Sequence, residues 1–269
     1  MDHLIERHYA RPSRVDAVLA VVDATNPAGR LRTVDLAALD QFHAGGLAAT
    51  RQLAALAGIG SGQHVLDVGS GIGGPARFLA ETYGCSVTGI DLAADYCRLA
   101  EALTARVGLE GKATFRSADA LDLPFADDTF DAVWTQHAAM NIADRPRLYR
   151  EMYRVLRPGG VVALYDAVAG NGAPLFPVPW ARDSSTSFLL SPDALRTVLE
   201  RVGFTVIAWC DVTEDAKRWF ASRSRGALPG LGLHLLMGSE FPAMAANFAR
   251  SVREGRVGLL MAVARKDLT

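Results

Sequence analysis

The chain has 269 residues, half of them hydrophobic, and is long enough to bury a large core as one domain. Its 28 basic and 29 acidic residues give a formal net charge of −1, which argues against a nucleic-acid or membrane partner. The cysteines Cys85, Cys97 and Cys210 are scattered, which favours neither a disulfide framework nor a zinc site. No signal-peptide or membrane-span pattern is found, so we expect a cytoplasmic protein. We also expect no bound metal, since the cysteines are scattered.

Strand and helix patterns alternate along the chain. Strands are predicted at 64–68, 86–91, 112–117, 130–135 and 160–166, with helices at about 75–83, 93–107 and 144–156. Ser191 and Pro192 predict the start of a further helix that stops at Gly203. Two more strands are predicted at 204–212 and 255–265. This alternation predicts an α/β fold, a parallel sheet with helices on both faces and ligands above the carboxyl ends of its strands.

A tight glycine turn follows the first predicted strand. It spans 65–74, reads Val-Leu-Asp-Val-Gly-Ser-Gly-Ile-Gly-Gly, and leads into a helix that Pro75 opens. Such a turn predicts a cofactor site, because glycines let a ligand lie against the backbone and the N–H groups at a helix start face it. The spacing also fits the glycine turn of dinucleotide-binding proteins, so it leaves the cofactor open.

Acids follow the next two strands. Asp91 ends the second strand, where an acid can hold the ribose hydroxyls of either type of cofactor. Asp119 follows the third strand, where it can accept a hydrogen bond from an adenine amino group. Two further segments complete the series, Phe-Asp-Ala-Val-Trp at 130–134 and Arg-Val-Leu-Arg-Pro-Gly-Gly at 154–160.

Taken together, these motifs resemble the class I S-adenosylmethionine-dependent methyltransferases over roughly residues 60–165. Shorter segments at 40–46, 135–142 and 255–256 resemble a small-molecule branch. That branch includes sarcosine/dimethylglycine N-methyltransferases and ubiquinone/menaquinone C-methyltransferases. The resemblance implies a Rossmann-like, doubly wound, seven-stranded, mostly parallel sheet with a helical lid. It also implies S-adenosylmethionine as cofactor and a small molecule as acceptor, methylated at nitrogen, carbon or oxygen.

The same resemblance implies a cofactor site. The glycine turn would meet the aminoacyl part, Asp91 the ribose and Leu92 the adenine ring, while Asp119 and Ala120 would meet the adenine edge. Asp67 would orient the turn or reach the cofactor's amino group through water. The residues assigned to the cofactor are Gly69, Ser70, Gly71, Asp91, Leu92, Asp119, Ala120 and Gln136.

Two histidines are candidates for catalysis, although methyl transfer mainly needs alignment and exclusion of water. His137 follows the fourth strand, where the reacting methyl group should lie. An imidazole there can take a proton from a hydroxyl, an acidic carbon or an ammonium group, or can simply hydrogen-bond a backbone carbonyl. His43 is the second candidate, with a lid or helix-cap role as its alternative. Phe42 and Trp134 are cation–π candidates for the sulfonium or core residues.

Three regions outside the sheet are expected to cover the acceptor. They are 1–58, the proline-rich loop at 169–187, and 213–253. We interpret the chain as one domain, 1–269, with a lid at 1–58, a cofactor-binding core at 59–167 and the remaining sheet with its lid insertion at 168–269. Arginines that could bind an anionic acceptor are Arg182, Arg218, Arg223, Arg225 and Arg250. The remaining histidines, interpreted as structural, are His3, His8, His64 and His234.

Two other functions stay open at this point. A nicotinamide-dependent dehydrogenase could use the same glycine turn. A non-enzymatic module could bind S-adenosylmethionine without turnover. The sequence leaves the acceptor and the oligomeric state open.

Overall fold

The computed structural model describes residues 15–25, 31–223 and 231–268. Within these residues seven strands form one sheet in the order β3-β2-β1-β4-β5-β7-β6. The strands are β1 His64–Val68, β2 Ser86–Asp91, β3 Ala113–Ser117, β4 Phe130–Gln136, β5 Leu156–Ala169, β6 Phe204–Asp211 and β7 Val257–Lys266. Strand β7 runs antiparallel to β5 and β6, and the other pairs are parallel. The predicted fold class is confirmed, and the strand order reverses between β1 and β4.

Helices cover both faces of this sheet. They are α1 Val15–Thr25, α2 Ala37–Asp40, α3 Gly46–Ala57, α4 Gly74–Tyr83, α5 Ala94–Val107, α6 Arg145–Val155, α7 Pro192–Val202, α8 Thr213–Arg223, α9 His234–Met237 and α10 Phe241–Arg253. One buried cluster packs α3, α4, α5, α8 and α10 against the sheet, and a second packs α6 and α7 against the opposite face. No helix in the described ranges is both long and apolar enough to span a bilayer.

Local sequence explains where these elements begin and end. Helix α7 starts where Ser191 Oγ accepts the Ala194 N–H at 3.2 Å, and it stops at Gly203, whose φ of 116° favours glycine. Strand β5 differs from the prediction because it begins at Leu156 rather than at residue 160. Leu156 pairs with Phe130 and Val161 with Ala132, so the Arg-Pro-Gly-Gly segment bulges out within the strand.

The segment before α3 is fixed directly onto the glycine turn. Asp40 and Arg77 form an ion pair of 2.8 Å, and neither side chain is exposed to solvent. A Cβ atom added to Gly74 would lie 2.2 Å from the Asp40 carbonyl oxygen, so only glycine allows this approach. The contact places residues 40–46 beside the carboxyl ends of the strands.

Candidate active site

A cavity of about 690 Å³ lies at the point where the strand order reverses. Its walls include Gly69 and Gly71 after β1, Asp91 at the end of β2, and Gln136 and His137 at the end of β4. Crevices outside the carboxyl ends of strands at a switch point are the usual ligand sites of doubly wound sheets. The volume is in the upper half of the range of about 300–1,000 Å³ that proteins use for small ligands.

The glycine turn lines the cavity, and contacts within the chain fix its shape. The N–H groups of Gly69 and Ser70 both donate to the Ile90 carbonyl oxygen at 2.9 Å, which ties the turn to β2. A Cβ at Gly69 would lie 2.3 Å from Ala138 Cβ, and a Cβ at Gly73 would lie 2.5 Å from the Phe115 ring. The sequence predicted a ligand in the space left by the missing glycine side chains, whereas neighbouring chain segments occupy much of that space.

Asp67 and Ser70 lie behind the turn. The Asp67 carboxyl is buried, and its Oδ2 has no hydrogen-bond partner among the described residues. Burial and the nearby charge of Asp91 raise the pKa of Asp67 to about 8. The Ser70 hydroxyl is also buried without such a partner, and it lies near Gly89 of β2 rather than among the cavity walls.

Asp91 is held in place by two backbone N–H groups. Its Oδ2 accepts from Gly71 and its Oδ1 from Ala93, both at 2.9 Å. A carboxylate offers about four acceptor positions, so two remain for ligand hydroxyls. Burial raises the pKa of Asp91 above its usual range. Leu92, which follows it, also lines the cavity.

The acid after β3 is placed differently. Asp119 and Ala120 both line the cavity, but Asp119 is exposed and its Oδ1 accepts the Leu121 N–H at 2.8 Å. Its carboxylate therefore shapes its own loop and retains further acceptor positions.

Gln136 presents a hydrogen-bond donor without a partner. Its Oε1 accepts from Trp134 Nε1 at 3.1 Å and from Thr50 Oγ1 at 3.3 Å. Because an indole N–H can only donate, this contact fixes which end of the amide is oxygen. The Nε2 of Gln136 is buried and unpartnered among the described residues. The unpartnered donor at Gln136 fits the carboxylate of an aminoacyl cofactor. The unpartnered Asp67 carboxyl does not line the cavity, and it fits contact with the ammonium of that cofactor through water.

His137 lies at the boundary of the cofactor site in a backbone conformation that few side chains adopt. Its φ is 51°, and its N–H donates to the Tyr165 carbonyl oxygen at 2.8 Å. The half-buried imidazole lines the cavity, 6.1 Å from the ring of His43 and 6.0 Å from the ring of Phe248. Its Nε2 is buried without a partner in the described ranges. Desolvation and the neighbouring His43 hold the pKa of His137 well below 6.5.

His43 is buried, lines the same cavity, and has a defined tautomer. Its Nε2 lies 3.1 Å from the Gly46 carbonyl oxygen and 3.0 Å from Thr50 Oγ1. A carbonyl can only accept, so Nε2 carries the proton and Nδ1 has a free lone pair. Burial lowers the pKa of His43 to about 4, so the ring is neutral at pH 7. Its contact with Gly46 at the start of α3 also fits the helix-end role.

The remaining sequence candidates are distributed as follows. Phe42 lines the cavity beside Gly71, whereas Trp134 is fully buried away from it and is a core residue. His64 lies 3.0 Å from Thr88 Oγ1 and packs on Phe130, as a structural residue would. His234, interpreted as structural, lines the cavity. His3 and His8 lie outside the described residues.

An apolar wall lies on the side of the cavity away from the glycine turn, within two regions, 169–187 and 213–253, that were expected to cover the acceptor. Sequence reasoning did not identify the aromatic residues that helices α8 and α10 contribute to it. This wall, called the aromatic chamber below, consists of Trp180, Trp219, Phe220, Phe241 and Phe248. The spacing of Phe241, Ala245, Phe248 and Ala249 along α10 is that of one helix face. This pattern could have revealed the wall, but the same spacing is typical of any helix that packs on a core.

Three of the five candidate anion-binding arginines have described side chains, and none of these three lines the cavity. Arg182 pairs with Glu240 at 2.6 Å, Arg250 with Glu254 at 2.6 Å, and Arg218 with Asp215. The side chain of Arg223 and all of Arg225 lie outside the described part of the chain.

Comparison with known proteins identifies the class. The family description "Methyltransferase domain" matches residues 66–164. The methyltransferase GfsG of Streptomyces halstedii is 33% identical over 68% of this chain and 67% of its own length. The chain belongs to the S-adenosylmethionine-dependent methyltransferases that act on small molecules. This membership decides against the dehydrogenase alternative.

Other relatives differ in the chemistry that their names give. An O-methyltransferase, resE, of Aspergillus sclerotiorum is 31% identical over 62% of this chain and 64% of its own length. The glycine/sarcosine/dimethylglycine N-methyltransferase of Actinopolyspora halophila is 36% identical over 56% of this chain and 27% of its own length. The chain thus spans about two thirds or less of the length of each of these relatives.

Solved structures show the same fold. The [4+2]-cyclase SpnF superposes with a TM-score of 0.63 at 26% identity, over 82% of this chain and 81% of that one. Geranyl diphosphate C-methyltransferase from Streptomyces coelicolor, with S-adenosyl-L-homocysteine bound, gives 0.70 at 19% identity, over 82% and 77%.

Proposed function

We propose that this enzyme transfers the methyl group of S-adenosylmethionine to a hydroxyl oxygen of a small molecule. The observation that carries this proposal is the pair of uncharged imidazoles, His137 and His43, in the cavity that the glycine turn also lines. A hydroxyl nucleophile must lose a proton, and a neutral imidazole is a suitable acceptor for it.

The residues present fit the proposed cofactor. Gly69 and Gly71 would hold its aminoacyl part, with the Asp67 carboxyl and the Gln136 amide as polar partners. Asp91 would bind the ribose hydroxyls, and Leu92 and Ala120 would contact the adenine. When bound, S-adenosylmethionine supplies an electrophilic methyl group on a positively charged sulfur.

The chain's own residues would then orient the acceptor and move one proton. The buried Nε2 of His137, which has no partner in the described ranges, would accept a hydrogen bond from the acceptor hydroxyl and take its proton as the hydroxyl oxygen bonds to the methyl group. The sulfur–methyl bond of the donor would break, and S-adenosylhomocysteine would leave. His43 offers Nδ1 as a second acceptor, because Gly46 and Thr50 hold its protonated Nε2 on the other side. The apolar walls exclude water that would compete as a nucleophile.

The proposal can be tested with matched acceptors. The enzyme and S-adenosylmethionine are incubated with 2-naphthol or with 2-naphthylamine, and S-adenosylhomocysteine and methylated products are measured by mass spectrometry. We expect the methyl ether of naphthol and little methylation of the amine. Preferential N-methylation would contradict the proposal. Acceptor consumption without S-adenosylhomocysteine would identify a different reaction, and no turnover on any hydroxyl acceptor in a wider panel would contradict transfer to a hydroxyl oxygen.

We also propose that the regions 1–58 and 213–253 close over the ligands within a single domain, 1–269. Phe42 and His43 from the first region and Trp219 and Phe241 from the second line the cavity, which supports this arrangement. Hydrogen exchange should slow in residues 41–46 and 213–223 when S-adenosylhomocysteine binds, while α7 serves as an unaffected control. Equal exchange with and without ligand in both segments would contradict the lid.

Finally, we propose that the enzyme acts in the cytoplasm without a nucleic-acid or membrane partner. The balanced charge and the free cysteines support this location. Burial raises the pKa of Cys85 to about 11 and that of Cys97 to about 12, so both thiols stay protonated. Cell fractionation tests the proposal, and recovery in the washed membrane fraction would contradict it.

A further inference from the structure

We infer that the acceptor is a largely apolar ring molecule without an anionic group, whose hydroxyl group faces His137 while its body lies in the aromatic chamber. This inference rests on the proposed function and names the class of substrate for the same site. It follows from the shape of the chamber, from the placement of charge around it, and from the position of its polar groups.

The chamber is continuous with the imidazole of His137. The ring of Phe248 lies 6.0 Å from that of His137 and 5.0 Å from that of Trp180. On its other side Phe248 lies 5.2 Å from Phe220, which is 5.0 Å from Trp219. These pairs meet edge to face, at angles of 67–88°. An acceptor that reaches His137 therefore has to pack against aromatic carbon.

Charge around the cavity lies on the cofactor side or at helix and loop ends. Of the charged residues lining its described part, Asp91 and Asp119 follow β2 and β3, and Asp144 caps α6 by accepting the Arg147 N–H at 3.0 Å. No lysine or arginine lines the described part of the cavity. A carboxylate or phosphate in the chamber would lose its hydration without gaining a partner there, which is costly.

Two imidazoles, those of His137 and His43, lie at one end of the chamber, and the side chain of His234 also lines the cavity. His137 and His43 lie 6.1 Å apart between the cofactor turn and the chamber. The chamber thus suits a molecule with one polar end and an apolar body. Hydrogen bonding at the imidazole end of the chamber selects the orientation of the acceptor that directs its hydroxyl toward the methyl donor.

Binding of a matched pair tests the inference without any turnover. The full-length enzyme saturated with S-adenosylhomocysteine is titrated calorimetrically with 2-naphthol and with 6-hydroxy-2-naphthoate, which adds a carboxylate. We expect naphthol to bind at least about tenfold more tightly, because the chamber gives the carboxylate no partner. Equal or tighter binding of the carboxylate would overturn the inference.

Variants locate the binding surface. Trp219→Ala should weaken naphthol binding about threefold or more, whereas Trp209→Ala is the matched control. Trp209 is half-buried under Arg196 and does not line the cavity. Both variants should keep their affinity for S-adenosylhomocysteine, which confirms that the cofactor half is folded. Equal effects of the two substitutions on naphthol would overturn the placement.

A third variant should reverse the preference for naphthol over 6-hydroxy-2-naphthoate instead of removing it. Phe241→Arg, at the half-buried start of α10, should bind 6-hydroxy-2-naphthoate more tightly than naphthol. An unchanged preference in a folded Phe241→Arg protein would place the acceptor elsewhere. If naphthol binds in the chamber but is not methylated, the proposed function fails while this binding inference stands.

Discussion

The two halves of the cavity are built by different means. In the cofactor half, hydrogen bonds within the backbone position the lining groups: the N–H groups of Gly69 and Ser70 tie the glycine turn to Ile90, and two further N–H groups hold Asp91. In the acceptor half, side chains from α8, α10 and the loop at 169–187 form the wall. Backbone geometry is fixed by the sheet, whereas side chains on peripheral helices can change without disturbing it. The fold therefore constrains the donor more tightly than the acceptor.

His137 lies where the two halves meet, and its removal should have the largest effect. His137→Ala should lower kcat by about 10²–10⁴, the usual contribution of a general base, and should leave cofactor affinity nearly unchanged. Steady-state kinetics with the best hydroxyl acceptor and calorimetry with S-adenosylhomocysteine measure the two quantities. His64→Gln, which is remote from the cavity, is the control. Full activity in His137→Ala would leave alignment as the whole mechanism.

The pH dependence of kcat in the unmodified enzyme also tests the role of His137 as a base. An imidazole whose pKa is lowered stays in its basic form at lower pH, so acid inactivation should begin well below pH 6.5. A fall in kcat centred at pH 6.5 would indicate an imidazole with an ordinary pKa.

Asp91 tests the cofactor half in isolation. Asp91→Ala should weaken S-adenosylmethionine binding by about 1.5–3 kcal/mol, because charge-assisted hydrogen bonds to the ribose are lost. Acceptor binding to the aromatic chamber should change far less. Asp119→Ala provides a comparison in which the acid is exposed, and we expect a smaller loss there. Equal cofactor affinities of the Asp91→Ala and unmodified proteins would remove Asp91 from the site.

Thr50 contacts side chains in both halves of the cavity, and its replacement should lower kcat less than the replacement of His137. Its Oγ1 contacts His43 Nε2 at 3.0 Å and Gln41 Oε1 at 3.0 Å. Thr50→Val should lower kcat by a factor that corresponds to about 0.5–1.5 kcal/mol, the net value of one hydrogen bond. The Gly46 carbonyl still fixes the tautomer of His43, so the loss stays modest. Thr50→Ser should restore the rate, and a failure to do so would indicate a packing effect.

The smallest signal is a proton released from Asp67. Its pKa of about 8 keeps the carboxyl mostly protonated at pH 7, and a nearby cofactor ammonium would lower that pKa. Binding should therefore release up to about one proton at pH 7, and less above pH 9, where Asp67 is already ionised. Calorimetry in two buffers of different ionisation enthalpy measures this release. Binding heats that do not depend on the buffer would contradict it, and Asp67→Asn should abolish the difference.

The sequence predicted the strands and the glycine turn of the cofactor half because their signals are local. A strand, a turn and an acid at the next strand end lie within about thirty residues, and each has its own physical reason to be there. The segment around Phe42 was also expected near the cofactor, and its ring does lie beside Gly71.

The other half depends on contacts that no local pattern encodes. Thr50 and Gln136 are 86 residues apart in the chain, and Asp40 and Arg77 are 37 apart. The aromatic chamber combines a loop with two helices that follow β6, so each contribution by itself looks like ordinary core packing. The arginines were plausible anion ligands by position, but Arg182 and Arg250 are neutralised by acids at the surface.

The left-handed backbone at His137 also bears on how such an enzyme can evolve. A side chain with a φ of 51° costs about 1–2 kcal/mol relative to a relaxed conformation, and glycine at the same position would avoid that cost. Selection for thermal endurance alone would therefore favour replacing this histidine. Under the role proposed for His137, this position trades stability for turnover, so a stability-guided redesign should leave residue 137 untouched.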